Sequence, residues 1–179
     1  MLKKILLILV ALVAIVLVIA AFQPSEFRVT RSAIIAAPAA TVFAEVNDFH
    51  RWQGWSPWEK LDPAMKRTFD GVAAGLGAGY AWEGNSEVGS GRMTITESRP
   101  AERILIKLEF LKPMPGICPT EFAFRPEGGA TKVTWTMSGT NNYLGKIFCL
   151  FMNMDKMVGG QFEQGLANLK ALTETAARK

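Results

Sequence analysis

The chain has too few histidines and cysteines for several common kinds of active site. Its 179 residues include one histidine, His50, and two cysteines, Cys118 and Cys149. One histidine excludes the usual multi-histidine metal sites, and two thiols exclude a four-thiolate zinc site. A carboxylate-rich metal site stays possible, but no spacing of acidic residues points to one, and we expect no bound metal. The cysteines either pair in an oxidising compartment or stay separate thiols, and the sequence leaves both alternatives open.

The chain also lacks the features of nucleic-acid and nucleotide binding. Its net charge is +4, from 20 basic and 16 acidic residues, but no basic run follows Lys3 and Lys4. This scattered pattern does not support a nucleic-acid partner. The glycine-rich residues 71–79 are followed by a strand pattern and not by Lys-Ser/Thr, which argues against a phosphate-binding loop. No nucleotide fingerprint is present, so we expect no cofactor.

One long apolar run is present, at the N-terminus. Residues 5–22 carry no charge, and about 18 such residues can cross a bilayer as a helix. Signal-peptide cores usually run about 7–15 residues, so we favour a retained single-pass anchor over a cleaved signal peptide. Lys3 and Lys4 precede the run, which predicts a cytoplasmic N-terminus and a domain on the extracytoplasmic side. The predicted division is residues 1–26 as anchor and tether and residues 27–179 as one domain.

Strand patterns dominate the first two thirds of this domain. A strand from Phe27 to Ile35 precedes two short helices, and about six further strands follow. Residues 104–110 give the clearest alternation of apolar and polar side chains. Residues 112–119 contain three prolines and are expected to form a stiff connecting loop.

The C-terminal part predicts one long helix from Lys146 to Thr175. Its apolar residues recur at the three-and-four spacing of a helix with one buried stripe. The stripe consists of Phe151, Val158, Phe162, Leu169 and Leu172.

Two local features allow either a packing or a ligand-binding interpretation. Glycines at positions 159, 160 and 165 of the predicted helix indicate either close packing against a strand or room for a ligand. Trp52, Trp55 and Trp58 surround a glycine and a proline. These tryptophans either plug one end of the sheet or line the mouth of a ligand site.

The order of elements and several segments resemble the START-like (SRPBCC) superfamily. This superfamily includes polyketide cyclases/dehydrases, Bet v 1-like plant allergens and coenzyme Q-binding proteins. The segments are IIAAPAATVFAEVNDFHRWQGWSPW, EVGSGRMTITE, RILIKLEF, TKVTWTMSG and FEQGLANLK, within Phe27 to Leu172. The resemblance implies an α+β helix-grip fold, in which a curved antiparallel sheet of about six or seven strands wraps a long C-terminal helix. It also implies an apolar cavity for a lipid, sterol, polyketide or quinone.

The large apolar residues expected on the inner face of sheet and helix are the candidate ligand contacts. They are Trp82, Phe110, Phe122, Trp135, Met137, Met157 and Phe162. An enzyme in such a cavity needs a general acid or base, for which Asp155 and His50, followed by Asp48 and Glu83, are weak candidates.

No Ser-His-Asp order or paired-carboxylate spacing is present. We therefore favour a module that binds a hydrophobic small molecule. A polyketide cyclase/dehydratase is the second hypothesis, and a structural or partner-docking domain is the third. The sequence leaves the oligomeric state open.

Overall fold

The computed structural model describes residues 2–176 and consists of an N-terminal helix followed by an α+β domain. The helices are α1 (Leu2–Phe22), α2 (Ala39–Asn47), α3 (Trp58–Leu61), α4 (Tyr143–Phe151) and α5 (Met154–Ala176). A 3₁₀ helix spans Phe49–Gly54. The strands are β1 (Glu26–Ile35), β2 (Lys66–Asp70), β3 (Gly79–Glu83), β4 (Ser90–Arg99), β5 (Arg103–Lys112), β6 (Gly116–Glu127) and β7 (Ala130–Thr140).

The seven strands form one open antiparallel sheet in the order β1-β7-β6-β5-β4-β3-β2. Its inner face carries the alternating apolar residues that the sequence indicates. Ile104, Phe122 and Trp135 lie side by side across β5, β6 and β7 and are all fully or almost fully buried. The predicted helix-grip fold is confirmed.

The predicted loop at 112–119 is wrong in its second half. β6 already begins at Gly116, which pairs with Phe110, and Cys118 and Pro119 pair with Leu108 and Lys107 of β5. Pairing with the neighbouring strand therefore overrides the local effect of Pro119, and the connection is reduced to residues 113–115.

The prediction of one continuous C-terminal helix is also wrong, because the chain forms two helices, α4 and α5. Met152 has an extended backbone, with φ −125° and ψ 122°. The side chain of Asn153 then accepts a hydrogen bond of 2.9 Å from the backbone N–H of Lys156, as residues that begin helices do. Phe151, which was expected in the buried stripe, is 73% exposed.

α5 packs along β1 and α2 with Phe162, Leu166 and Leu169 buried. Its backbone comes very close to the sheet at two glycines. A Cβ atom at Gly159 would overlap the Arg31 guanidinium, and one at Gly165 would lie 2.8 Å from a ring carbon of Trp135. These two glycines therefore serve close packing.

The N-terminal helix α1 lies outside the domain core. Its contacts with the domain are to α4, and the Tyr143 hydroxyl donates a hydrogen bond of 2.6 Å to the Leu17 carbonyl oxygen. Within residues 2–176, α1 is the one helix long and apolar enough to cross a membrane, and a signal sequence meets the same criterion.

The two neighbouring glycines of α5 give different expectations. Gly160 has open space around it, so Gly160→Ala should raise the free energy of unfolding by about 1 kcal/mol through helix propensity. Gly159→Ala should raise it less, because the new Cβ would displace the Arg31 guanidinium from Asp155 and Glu163. Urea denaturation of the full-length protein in detergent measures both, and an equal gain in the two variants would contradict the close contact.

Candidate functional site

The middle of the space between sheet and helix is filled by aromatic rings. Trp135 stacks on Phe162 of α5 with 4.1 Å between ring centroids and an interplanar angle of 8°. Phe122 lies 4.6 Å and Trp55 5.7 Å from the same indole. Phe122, Trp135 and Phe162 are each at most 2% exposed. This part of the predicted ligand cavity is thus a packed aromatic core.

The tryptophan-rich loop contributes directly to that core. Trp52 and Trp55 are buried, and their indole N–H groups donate to the carbonyl oxygens of Val46 and Glu45 at 3.0 and 3.2 Å. These carbonyls belong to the last turn of α2, where the helix itself provides no donor. Of the two interpretations of this loop, the packing one is correct for Trp52 and Trp55.

The inner face is less covered at the ends of β3 and β5. Trp82, Leu108 and Phe110 are only partly buried there, and Met137 lies nearby on β7 with 4% exposure. The rings of Trp82 and Phe110 meet edge to face at 6.1 Å. We call these four residues the apolar end. It is the part of the predicted cavity where the large apolar side chains of Trp82, Leu108 and Phe110 stay partly accessible beside the buried Met137.

Met157 does not belong to this surface. Its side chain is 46% exposed on α5, whereas its neighbour Val158 packs against the core. The expectation for Met157 was wrong because the buried face of α5 follows the stripe of Val158 and Phe162, and Met157 lies beside this stripe and turns towards solvent.

Two concavities of about 340 Å³ each lie on the opposite, outer face of the sheet. Both are lined by Arg28, Glu121 and Thr136 and are open to solvent. Both concavities carry charged side chains and neither would enclose a ligand, whereas small-molecule sites bury most of the ligand surface.

Asp155 is held in an ion pair. It accepts two hydrogen bonds from Arg31 on β1, at 3.0 and 2.9 Å, and Glu163 accepts a third at 2.6 Å. Asp155, Gly159 and Glu163 follow at spacings of four along one face of α5, so the guanidinium lies over the glycine and between the carboxylates. The Arg31 hydrogen bonds lower the pKa of Asp155 below its usual value, which makes this carboxyl a poor general acid near neutral pH.

The other acid–base candidates lie at the surface. His50 stacks on Phe69 with 4.1 Å between ring centroids, and its Nδ1 is 2.9 Å from an oxygen of Asp48. The His50 side chain is 52% exposed. Asp48 also accepts a hydrogen bond from the His50 backbone at the start of the 3₁₀ helix, and Glu83 is exposed. None of these three side chains reaches the apolar end.

The sequence analysis missed a buried polar cluster formed by Glu59, Arg67 and Tyr80. The Glu59 carboxylate accepts hydrogen bonds of 2.7 Å from the Tyr80 hydroxyl and 2.7 Å from Arg67 Nε, and its side chain is 6% exposed. Burial, followed by the hydrogen bond to Glu59, raises the pKa of Tyr80. The rings of Tyr80 and Trp82 stack at 6.1 Å, so the cluster adjoins the apolar end. The available signal was Glu59, an acidic residue directly after the tryptophan-rich loop.

The described residues hold no other reactive arrangement. Cys118 is buried and Cys149 half-buried, and both are free thiols. Burial raises the pKa of the Cys118 thiol, which keeps it protonated at neutral pH. Residues 2–176 contain no group of three or more His, Cys, Asp or Glu side chains placed to hold a metal ion.

The site and the fold agree with one known family. The family model described as polyketide cyclase/dehydrase and lipid transport matches residues 26–174. The chain belongs to this family. The resemblance to the START-like superfamily is thereby confirmed, and no curated protein matches the chain.

Solved structures show the same fold at low sequence identity. A protein from Chromobacterium violaceum is 18% identical with a TM-score of 0.59, and the match covers 85% of this chain and 99% of that one. The di-domain ARO/CYC StfQ from the steffimycin biosynthetic pathway is 11% identical with a TM-score of 0.62, covering 86% and 52%. Ara h 8.0201 is 11% identical with a TM-score of 0.58, covering 84% and 99%.

The Asp155–Arg31 pair predicts a pH-dependent stability. The pKa of Asp155 is lower in the folded than in the unfolded chain. Asp155 therefore makes its full contribution to the free energy of unfolding above the pKa of the unfolded chain, about 3.9. This contribution is lost as the pH falls through the lower pKa of the folded chain. Asp155→Asn should therefore be less stable than wild type at neutral pH, with a difference that shrinks in acid.

Urea denaturation of the full-length protein across this pH range measures the effect. In an Arg31→Met background the same Asp155→Asn substitution should show no such pH dependence. A difference that stays constant with pH would show that Asp155 does not act through the ion pair.

Proposed function

We propose that the domain binds a hydrophobic small molecule, such as a lipid, quinone or polyketide-like compound, at the apolar end of its inner face. The observation that supports this most is the partial exposure of Trp82, Leu108 and Phe110 beside an otherwise filled core. Clusters of large apolar side chains that remain accessible mark binding surfaces, and apolar and aromatic side chains line most small-molecule sites. The family description, which names cyclisation, dehydration and lipid transport, agrees with such a ligand.

A cyclase/dehydratase is the second candidate, and the Glu59 cluster is the observation that favours it. Glu59 of α3 is a buried carboxylate in hydrogen bonds with Tyr80 and Arg67, and the Tyr80 ring stacks on Trp82 of the apolar end. Groups of this kind perform acid–base chemistry when a substrate reaches them. Glu59 replaces Asp155 and His50 as the acid–base candidate, because those two are held in surface contacts.

We also propose that α1 is retained as a single-pass anchor and that residues 27–179 form the domain on the extracytoplasmic side. α1 is exposed to its surroundings along almost all of its 21 residues, and its only interruption by charge is at Lys3 and Lys4. An apolar helix with so little burial is stable in lipid rather than in water. Lys3 and Lys4 favour a cytoplasmic N-terminus.

Filling the apolar end should weaken ligand binding. In the protein lacking residues 1–25, Leu108→Trp should reduce the affinity for a fluorescent fatty acid about tenfold or more, because the larger ring takes the volume of about two ligand methylenes, each worth about 0.8 kcal/mol. Leu105→Trp is the matched control, since Leu105 belongs to the same strand but lines a groove on the outer face. Fluorescence titration of both variants measures the change.

Equal affinities of these two folded variants would place the ligand site elsewhere. Conversion of a bound polyketide-like compound to product, with the turnover lost in Glu59→Gln, would show that the enzyme hypothesis describes the protein better than binding alone.

The anchor hypothesis predicts how the full-length protein partitions. Because α1 would hold it in the hydrocarbon core, the protein should stay in the membrane pellet at alkaline pH in carbonate, whereas the chain lacking residues 1–25 should be released. Release of the full-length chain, with its N-terminus intact by mass spectrometry, would contradict the anchor.

A further inference from the structure

Helix α4 is apolar on nearly all sides and yet none of its residues is buried. Its sequence is YLGKIFCLF, with Lys146 as the only charged residue. Leu144, Phe148 and Phe151, at spacings of four and three, form an exposed stripe with exposures of 69%, 38% and 73%. A helix of this composition is normally covered by protein or lipid.

The contacts of α4 with α1 indicate what covers it. Val16 and Ala20 lie four apart on α1 and are its two more buried residues, Ala20 fully so. The hydroxyl of Tyr143 binds the carbonyl oxygen of Leu17. Leu17 lies about 7.5 Å before the end of α1 at Phe22, given the rise of an α-helix. α4 therefore contacts α1 within its apolar segment, so a bilayer that surrounds α1 also reaches α4.

A second apolar surface lies at the same end of the sheet. The first residues of β1 pair with the last residues of β7, and the register of β6 with β7 and β5 puts the β5–β6 hairpin at this end too. Around that hairpin Leu111, Met114 and Ile117 are 59%, 50% and 55% exposed. Apolar residues that are clustered around the attachment point of a membrane helix are typical of a membrane-facing surface.

We propose that α4 and the β5–β6 hairpin lie in the interface of the bilayer that α1 crosses, with the Leu144, Phe148 and Phe151 stripe immersed at the level of the lipid headgroups and upper acyl chains. This inference rests on the proposed anchor. Tyr143 then lies at the depth where tyrosines are enriched in membrane proteins. Phe110, at the end of β5 next to the hairpin, brings the apolar end close to the lipid, so that a hydrophobic ligand can exchange with the membrane without crossing water.

Site-specific fluorescence in the full-length protein tests this arrangement. An environment-sensitive fluorophore is attached to the cysteine of Leu144→Cys or Phe151→Cys, each made in a Cys149→Ser background, and the protein is placed in phosphatidylcholine/phosphatidylglycerol vesicles. The Cys149→Ser variant alone should take up no label, which shows that the buried Cys118 does not react. Both labels should shift their emission to the blue and lose intensity when the vesicles contain nitroxide-labelled acyl chains. A label at Glu127→Cys, on the hairpin at the opposite end of the sheet, should do neither.

Flotation of the same samples separates this proposal from the anchor. Protein that floats with the vesicles while the labels at 144 and 151 remain unquenched would overturn the interfacial position and leave the anchor standing. If the labels stay unquenched and the unlabelled cysteine variants form disulfide-linked dimers, a second copy of the chain covers α4 instead. Failure of the full-length protein to float would overturn both the anchor and the interfacial position.

Discussion

The close approach of α5 to the sheet is the constraint on which the rest of the structure depends. At Gly165 the helix backbone lies against Trp135, and at Gly159 it lies against Arg31. A side chain at Gly165 would push the helix away from Trp135 on β7, and one at Gly159 would displace the Arg31 guanidinium. The approach allows Phe162 to stack on Trp135 at 4.1 Å, and stacked aromatic pairs of this kind add about 0.5–1.5 kcal/mol beyond their buried area.

This packing also determines where function can be located. Because aromatic rings fill the middle of the helix grip, the accessible apolar surface is displaced to the ends of β3 and β5, where the helix no longer covers the sheet. The polar groups divide in the same way. Arg31, Asp155 and Glu163 connect α5 with the sheet, whereas Glu59 of α3 joins Arg67 and Tyr80 next to the apolar end.

The apolar end and the exposed helix α4 become parts of one arrangement when the bilayer is included. Both lie at the end of the sheet where the chain leaves α1 and enters β1. In water this end would expose many large apolar side chains, which soluble domains usually avoid. In the membrane position that we propose, the same side chains would be covered, and a ligand site at this end would exchange with the lipid phase.

The sequence by itself determined the apolar run of α1 and the alternation of the strands, because these depend on local periodicity, and the helix-grip fold followed from the resemblance to the START-like superfamily. It also placed Phe122 and Trp135 on the inner face. Only the tertiary structure decided that these residues pack against each other, that Asp155 is neutralised by Arg31 at a separation of 124 residues, and that Glu59 is buried. Local spacing carries no information about such contacts, since each depends on how closely α5 and the loop after α2 approach the sheet.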